Sequence, residues 1–401
     1  MNETNTPDSD DTKPQPSSAA DGGDPALPPL HLWLTEPLKA DAKEAIDRLR
    51  RADDVAHLAV MPDVHPGEQA CVGVAMATRQ LVYPMAIGGD IGCGLTAAAV
   101  HLPAAAVRDD RHAERILAEL SRHVPILRHN RRVVEPRLPD GLDPGALTDP
   151  SLANEAGRDG VLELGTLGRG NHFLELQEDP EGRVWIMVHS GSRVMGQVIT
   201  RHHSQHAKAM KWGMKALDIN TEAGRAYLHD LEWARRYARA NRAAMLEATS
   251  RVLEVVLGEG MDASTRIECD HNHARIERHG DASLVVHRKG ASSAEAGEAG
   301  LIPGSMGTSS YHVTGRGCEP ALRSSSHGAG RLMSRGKARA KIRVDDLRKQ
   351  MRGIHFDVRA TSRLVEESPQ AYKDIGAVMR AQRDLVRIDR ILKPVLVYKG
   401  T

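Results

Sequence analysis

Several short stretches of the chain carry side chains that can hold a cation or attack phosphorus. MPDVHPGE, residues 61–68, sets Asp63 and His65 two apart, on one side of an extended backbone. An ordinary strand-end turn is the simpler reading of that stretch alone. GGDIGCG, residues 88–94, places Asp90 and Cys93 three apart among glycines. Without side-chain bulk around them, a carboxylate and a thiolate can converge on a metal ion. A tight turn with a capping Asp and a buried Cys explains the same residues equally well. GRGNHFLEL (168–176) and VHSGSR (188–193) each set a histidine at a turn or strand end, His172 after Asn171 and His189 four before Arg193. CDHNHARIE (269–277) holds His271 and His273, either of which could bind metal or merely cap a strand. Together these residues form a set of borderline ligands for a transition metal, and a thiolate can bridge two ions. Softness points to zinc, yet carboxylate and imidazole also suit manganese or iron, so spacing does not name the metal.

Two glycine-rich stretches suit an anion. IPGSMGTSSY (302–311) offers backbone N–H groups and hydroxyls to a phosphate, without the lysine of a P-loop. A flexible surface loop is its simpler reading. SSSHGAGR (324–331) places His327 among the smallest side chains, with Arg331 one turn on. Neutral imidazole is a nucleophile at neutral pH, and its attack on phosphorus would give a phosphoramidate. Arg331 could then neutralise phosphate oxygens.

The elements that must hold these residues alternate between short strands and helices, which indicates a mixed α/β fold. Helices are expected over 39–52, with Ala42, Ala45, Ile46 and Leu49 inward, and over 111–123, with Ile116, Leu117 and Leu120 inward. The strongest helix runs over 222–257. Its stripe of Leu231, Ala234, Ala238, Asn241, Met245, Ala248, Val252 and Val255 is closed by Gly258. Asn241 in that stripe reads as a satisfied core polar group. Strands are expected over 57–61, 71–78, 95–101, 184–188 and 283–288. The segment 130–160 reads as loop. A last helix near 369–393 is expected to lead into a strand at VLVYKG.

The chain has 401 residues and a formal net charge of +1. Near-neutrality gives no global pull toward nucleic acid. Aromatics make up only 3% of residues, which leaves few platforms for base stacking. Histidine is abundant, at 20 copies. Cys71, Cys93, Cys269 and Cys318 form no CxxC pair, which suggests a reducing compartment. No signal peptide and no membrane-length apolar run is visible, so a soluble, cytoplasmic protein without membrane contact is expected. Residues 1–28, rich in Pro, Asp, Ser and Gly, read as a disordered tail, and 29–401 as one catalytic domain.

The motifs MPDVH, GGDIGCG, LGRGNHFLEL, HSGSR, HNHARIE, RKGASSAEAG, IPGSMGTSSY, SSSHGAGR, AYKDIGAVM and YKG, in this order over roughly 57–400, resemble the RtcB-type RNA ligases. The resemblance implies β-sheets flanked by helices around a central metal and nucleotide cleft. It implies GTP, two Mn²⁺ ions, and an RNA whose 3′-phosphate or 2′,3′-cyclic phosphate end is joined to a 5′-hydroxyl. His327 would attack the α-phosphorus of GTP and carry GMP. Asp63 would orient that ring, and Arg193 and Arg331 would contact RNA or phosphate. One metal would be held by Asp90, Cys93 and His172, the other by Cys93, His189 and His271. Guanylate contacts would come from Asn171, His172, Phe173, Leu174 and Glu175, from His271 and Asn272, and from Pro303, Gly304, Ser305, Met306 and Ser310. His327, Gly328, Ala329, Gly330 and Lys399 would complete them.

Two positions depart from the family pattern: acidic Glu68 in the loop after MPDVH, and Arg169 where a small residue is common. Both bear on RNA sealing more than on guanylylation. The alternatives are a self-guanylylating paralogue that activates or caps 3′-phosphate ends without joining, a dinuclear metal phosphohydrolase, and an RNA-binding protein without catalysis. The oligomeric state and the RNA substrate are not encoded in any motif.

Overall fold

Two large β-sheets bring the ends of their strands to one place. The computed structural model describes residues 19–20, 27–67, 70–132 and 137–400. One sheet has six strands in the order Ala19–Ala20, Leu30–Leu32, Val55–His65, Val72–Thr78, Ala282–Lys289, Asn272–His279. Leu30–Leu32 runs parallel to its Val55–His65 neighbour and the other pairs are antiparallel. The second, eight-stranded sheet runs Met261–Asp270, Gly94–Pro103, Arg183–Ser190, Phe173–Glu178, Val386–Lys399, Ser310–Gly315, Ala299–Ile302, with His355–Phe356 added beside Val386–Lys399. A small sheet of Leu81–Val82, Lys215–Asp218 and Lys208–Ala209 lies apart from both.

The apolar runs in the second sheet follow from burial on both faces. Along Gly94–Pro103, Ala98 and Val100 join a core with Ile116, Leu120, Met245 and Val252 of two helices. Leu95, Ala97 and Ala99 turn the other way, toward Phe173, Trp185, Met187 and Leu301. The helices on the first face are Asp110–His123, capped by the Asp109 carboxylate, and Glu222–Leu257, capped by Thr221 and ended by Gly258 at φ 86°. Glycine meets that left-handed position without a Cβ clash.

The mixed α/β architecture matches the expectation. The helices appear at Ala40–Arg50, Asp110–His123 and Glu222–Leu257, and every expected strand lies within an observed one or overlaps it. Three details differ. Val255 is 68% exposed, so the inward stripe of the long helix ends at Val252 and Leu253. The segment 130–160 is not all loop. Asp149 caps a helix over Pro150–Glu155 that continues as a π-helical turn over Ala156–Gly160, and Leu152 and Ala156 pack into the core. The helix expected near 369–393 is confined to Ile375–Ala381, and a strand begins at Val386. Pairing of residues 386–392 with Ser310–Gly315, and of residues 393–399 with Phe173–Glu178, takes the segment from the helical state. Of the tail expected over 1–28, residues 1–18 and 21–26 lie outside the described residues, and Ala19–Ala20 pair with the strand Leu30–Leu32. No helix among the described residues is long and apolar enough to cross a membrane.

Candidate active site

Strand register explains why residues far apart in sequence meet. Cys93 precedes Gly94, which pairs with Ser190, while Leu95 pairs with His189. Phe173, which follows His172, also faces His189. On the other side of the same strand Gly94 pairs with Asp270, the residue before His271. Four strand ends thus deliver Cys93, His172, His189 and His271 to one edge. The approach is close: a Cβ on Gly94 would stand 2.2 Å from the Cys269 carbonyl oxygen.

The donor atoms form two triads that share one sulfur. Asp90, Cys93 and His172 form one, and Cys93, His189 and His271 the other, each with its donor atoms within 4.8 Å of one another. Cys93 Sγ lies 3.5 Å from His172 Nε2 and 3.4 Å from His189 Nε2. His189 Nε2 lies 3.4 Å from His271 Nε2. His172 Nδ1 is 2.9 Å from the Leu167 carbonyl oxygen, so in the neutral ring Nδ1 carries the proton. Its Nε2 lone pair then faces the Asp90 carboxylate at 3.0 Å. Two acceptors so close, beside a sulfur, are reconciled by a shared cation. Burial holds His189 and His271 well below the usual imidazole range, which keeps their lone pairs available. Burial pushes the Cys93 thiol well up in the ion-free chain, and a bound cation would reverse that by taking the thiolate. In the ion-free chain a proton on His172 Nε2 would instead be donated to Asp90; burial pushes the Asp90 carboxyl up, and that hydrogen bond and charge, with Cys93 and Arg193, outweigh it and hold the carboxyl low. This donor set fits a pair of divalent transition-metal ions.

His327 stands beside the triads. Its ring centroid is 4.7 Å from that of His271. The fully buried Asp63 lies 2.6 Å from His327 Nδ1 through Oδ2, and the same oxygen accepts the His327 backbone N–H at 3.1 Å. With Nδ1 so engaged, Nε2 keeps the open lone pair. Gly330, at φ 72°, allows this arrangement: a Cβ there would stand 2.2 Å from the Asp63 carbonyl oxygen. The loop 327–330 therefore lies directly against the strand that carries Asp63.

A cleft of about 970 Å³ opens from this cluster. Asp90, Cys93, His189, His271 and His327 line it, as do Asn171, Phe173, Glu175, Asn272, Pro303, Gly304, Ser305, Met306, Gly328, Ala329, Gly330, Arg331 and Lys399. Other expected residues sit elsewhere. Leu174 packs into the core on the opposite face of its strand, as alternation requires. Ser310 is buried behind the wall, 3.1 Å from Gln177 Nε2, which also donates to Glu175. Arg193 opens a helix and donates to Thr166 Oγ1 and the Ile126 carbonyl oxygen. His273 turns from the triads, its Nδ1 3.0 Å from Asp270 and its Nε2 3.3 Å from Arg288 Nη1. Arg169 is exposed, and Glu68 lies outside the described residues.

Several cleft residues had no signal in the sequence. Glu367 is buried between Arg331 at 3.0 Å and Lys399 at 3.2 Å, and it accepts from the Tyr372 hydroxyl. Arg331 is thus committed to Glu367, Tyr372, and the Glu366 and Met333 carbonyl oxygens. Glu175 at the cleft floor is pushed up to about 7 by burial, against the opposing pull of Gln177 and Lys399.

Behind the site, two buried neighbours on the long helix tie its loops together. Asn241 Oδ1 accepts from the backbone N–H groups of Gly165 and Thr166, and Nδ2 donates to Ser190 Oγ and the Gly191 carbonyl oxygen. Arg242 donates to the Gly92 and Ser190 carbonyl oxygens at 2.7 and 3.0 Å and pairs with Glu268. Asn241 is therefore the satisfied core polar group expected, and together with Arg242 it braces segments next to three of the donors.

Comparison with known proteins gives consistent matches. Residues 47–143 and 141–400 match the family described as tRNA-splicing ligase RtcB. RNA-splicing ligase RtcB of Escherichia coli strain K12 is 35% identical, over 93% of this chain and 97% of its own length. RNA-splicing ligase RtcB1 of Escherichia coli strain ATCC 25922 is 36% identical over the same shares. RNA-splicing ligase RtcB of Mycobacterium tuberculosis strain H37Rv is 33% identical over 85% of this chain and 96% of its own. Matches of this extent, over a chain whose motifs converge on one cleft, mean that the protein belongs to the tRNA-splicing ligase RtcB family.

Proposed function

We propose that the protein is a GTP-dependent RNA ligase, cytoplasmic, with residues 29–401 acting as one catalytic unit. It joins a 3′-phosphate or 2′,3′-cyclic phosphate end to a 5′-hydroxyl end, in RNA repair or tRNA splicing. The observation that carries this reading is the Asp63–His327 hydrogen bond beside the two thiolate-linked triads. The relatives' names, RNA-splicing ligase, support the RNA substrate.

His327 Nε2 attacks the α-phosphorus of GTP, a phosphorus–nitrogen bond forms, and pyrophosphate leaves. Asp63 holds the Nδ1 proton throughout and stabilises the ring as it becomes cationic. An oxygen of the RNA 3′-phosphate then takes the guanylyl group, and the phosphorus–nitrogen bond breaks. The 5′-hydroxyl attacks the activated 3′-phosphorus, and GMP leaves. A cyclic phosphate is opened by water before this sequence. Asp90, Cys93 and His172 would hold one Mn²⁺, and Cys93, His189 and His271 the other; bound there, the ions neutralise phosphate charge and align in-line displacement. The buried Glu175 carboxyl suits the N–H edge of guanine, with Phe173 alongside. Asn171 and Asn272 and the loops Pro303–Gly304–Ser305–Met306 and Gly328–Ala329–Gly330 offer polar and backbone groups to the phosphates.

Incubation with α-labelled GTP and Mn²⁺ tests the reading. Acid-labile label on the protein, absent in His327→Ala, and joining of defined RNA termini are expected. Label without joining reduces the function to activation or capping of 3′-phosphate ends. No label at all removes the covalent step.

A further inference from the structure

The structure points to a second, auxiliary contact for RNA outside the cleft: we infer that the hairpin Lys208–Ala209/Lys215–Asp218 stacks a base of the single-stranded RNA on Trp212. The inference rests on the RNA-ligase reading above and adds a substrate-binding element to it.

Trp212 is the anomaly of the molecule. Trp33, Trp185 and Trp233 are at most 2% exposed, whereas Trp212 is 57% exposed. Among the described residues no other Trp, Tyr or Phe is exposed. A chain so poor in aromatics keeps the rest for its cores and cleft and holds one outside. The backbone around it is also unusual. Trp212 has φ 61° and Gly213 φ 71°, and the Met210 N–H closes the turn on the Met214 carbonyl oxygen at 2.7 Å. A bulky side chain in the left-handed region is disfavoured, and such positions cluster where function demands them. The base of the hairpin is firm, since Met214, Ala216 and Leu217 are buried.

The surroundings select the partner. Lys208, Lys211 and Lys215, in the same hairpin as Trp212, are exposed. Lys211 faces Asp53 at 3.5 Å, and Asp53 also accepts its backbone N–H. No other large exposed hydrophobic lies in the hairpin. A protein partner would be read by a cluster of apolar anchors in a desolvated patch. A lone indole among lysines suits a base above and phosphates beside it. The register puts Lys215 opposite Ala209 and Ala216 opposite Lys208, so the two lysines flank the ribbon on its two faces. Phosphates before and after a stacked base would each meet one of them.

The hairpin is also well placed. Its strand Lys215–Asp218 pairs with Leu81–Val82, which runs directly into Pro84, Met85 and Ile87 of the cleft wall. The helix Arg193–His206 carries Thr200 on the cleft wall and ends two residues before Lys208. Both elements connect the cleft wall to the hairpin.

Binding of a short unstructured RNA with a 3′-phosphate to the full chain tests the inference. RNA is expected to quench the fluorescence of the exposed indole, and Trp212→Ala to weaken binding by about tenfold. Trp212→Phe should keep most of the affinity. Replacing Lys208 and Lys215 by Gln should reduce the slope of log affinity against log salt by about 1.4, roughly 0.7 for each phosphate contact on a single strand. GTP labelling of His327 should be unchanged in all three variants, because that step does not involve RNA. Affinity, quenching and salt slope equal to the unsubstituted protein would overturn the inference while leaving the ligase reading in place, and would turn the hairpin toward a protein partner. An unsubstituted protein that accepts no label and binds no RNA would remove the ligase reading, and the hairpin assignment with it.

Discussion

One oxygen of Asp63 receives both the ring N–H and the main-chain N–H of His327, which fixes the ring's tautomer and its rotamer together. Asp63→Asn keeps the shape but removes the charge that stabilises a cationic ring. The rate of label transfer from GTP should fall by roughly 100-fold or more, with a changed pH profile, while the fold persists. Cys93→Ala removes the donor common to both triads, so bound metal measured after dialysis should fall for both sites. Glu175 gives a pH signature. Its carboxyl sits at about 7 in the fold against 4.5 in the unfolded chain, so the native state retains its proton across that interval. Stability contributed by the protonated carboxyl is present below pH 4.5 and is lost as pH rises toward 7. Glu175→Gln should therefore be the more stable protein at pH 8, by up to about 3 kcal/mol in denaturant unfolding, and nearly equal at pH 4.5. At this scale the sequence was informative where residue types are chemically distinctive: Asp90, Cys93, His327. Residue type and spacing alone could not separate His271 from His273, which only the resemblance distinguished; the pairing of flanking strands sends one to the triad and the other to Asp270. Glu367 left no trace, since its meaning comes from Arg331, Lys399 and Tyr372 around it.

Between residues and molecule stands the helix Glu222–Leu257, which braces the loops of three metal-binding donors through Asn241 and Arg242. Asn241→Leu leaves two backbone N–H groups and the Ser190–Gly191 turn unpartnered while preserving size. Metal affinity should fall by about 10–100-fold, read from Co²⁺ titration through the thiolate absorption band, beyond any change in thermal midpoint. This helix was legible because a 3.6-residue period sustained from Leu231 to Val252 has no rival reading. The segment after Asp374 was not. Ile388 and Ile391 are spaced three apart as on a helix, yet both are exposed on a strand. Hydrogen bonding of this stretch to Ser310–Gly315 decided the outcome, and that partner lies about 80 positions upstream.

At the scale of the whole molecule, both large sheets bury histidines, His287 in one and His312 in the other. His287 accepts the Tyr83 backbone N–H at 2.9 Å through Nε2, and its other nitrogen lies 3.1 Å from the Met76 carbonyl oxygen. Burial holds His287 at about 4 and His312, packed on Trp185, at about 3. Unfolded histidines take up protons near pH 6.5, so stability should be full above that value and fall as pH drops toward 4. The denaturant midpoint should show this decline, and His312→Phe should flatten part of it. The α/β class was legible from alternation of elements, but the order of strands was not, because no local pattern records which strand lies beside which. That order has a temporal consequence. The strand Val386–Lys399 fills the middle of the eight-stranded sheet, between Phe173–Glu178 and Ser310–Gly315, and brings Lys399 to the cleft. On the ribosome it is among the last parts of this sequence to emerge. Under the proposed reading, a nascent chain would hold both triads and His327 already made, yet lack Lys399 at the cleft until this strand inserts and completes the sheet.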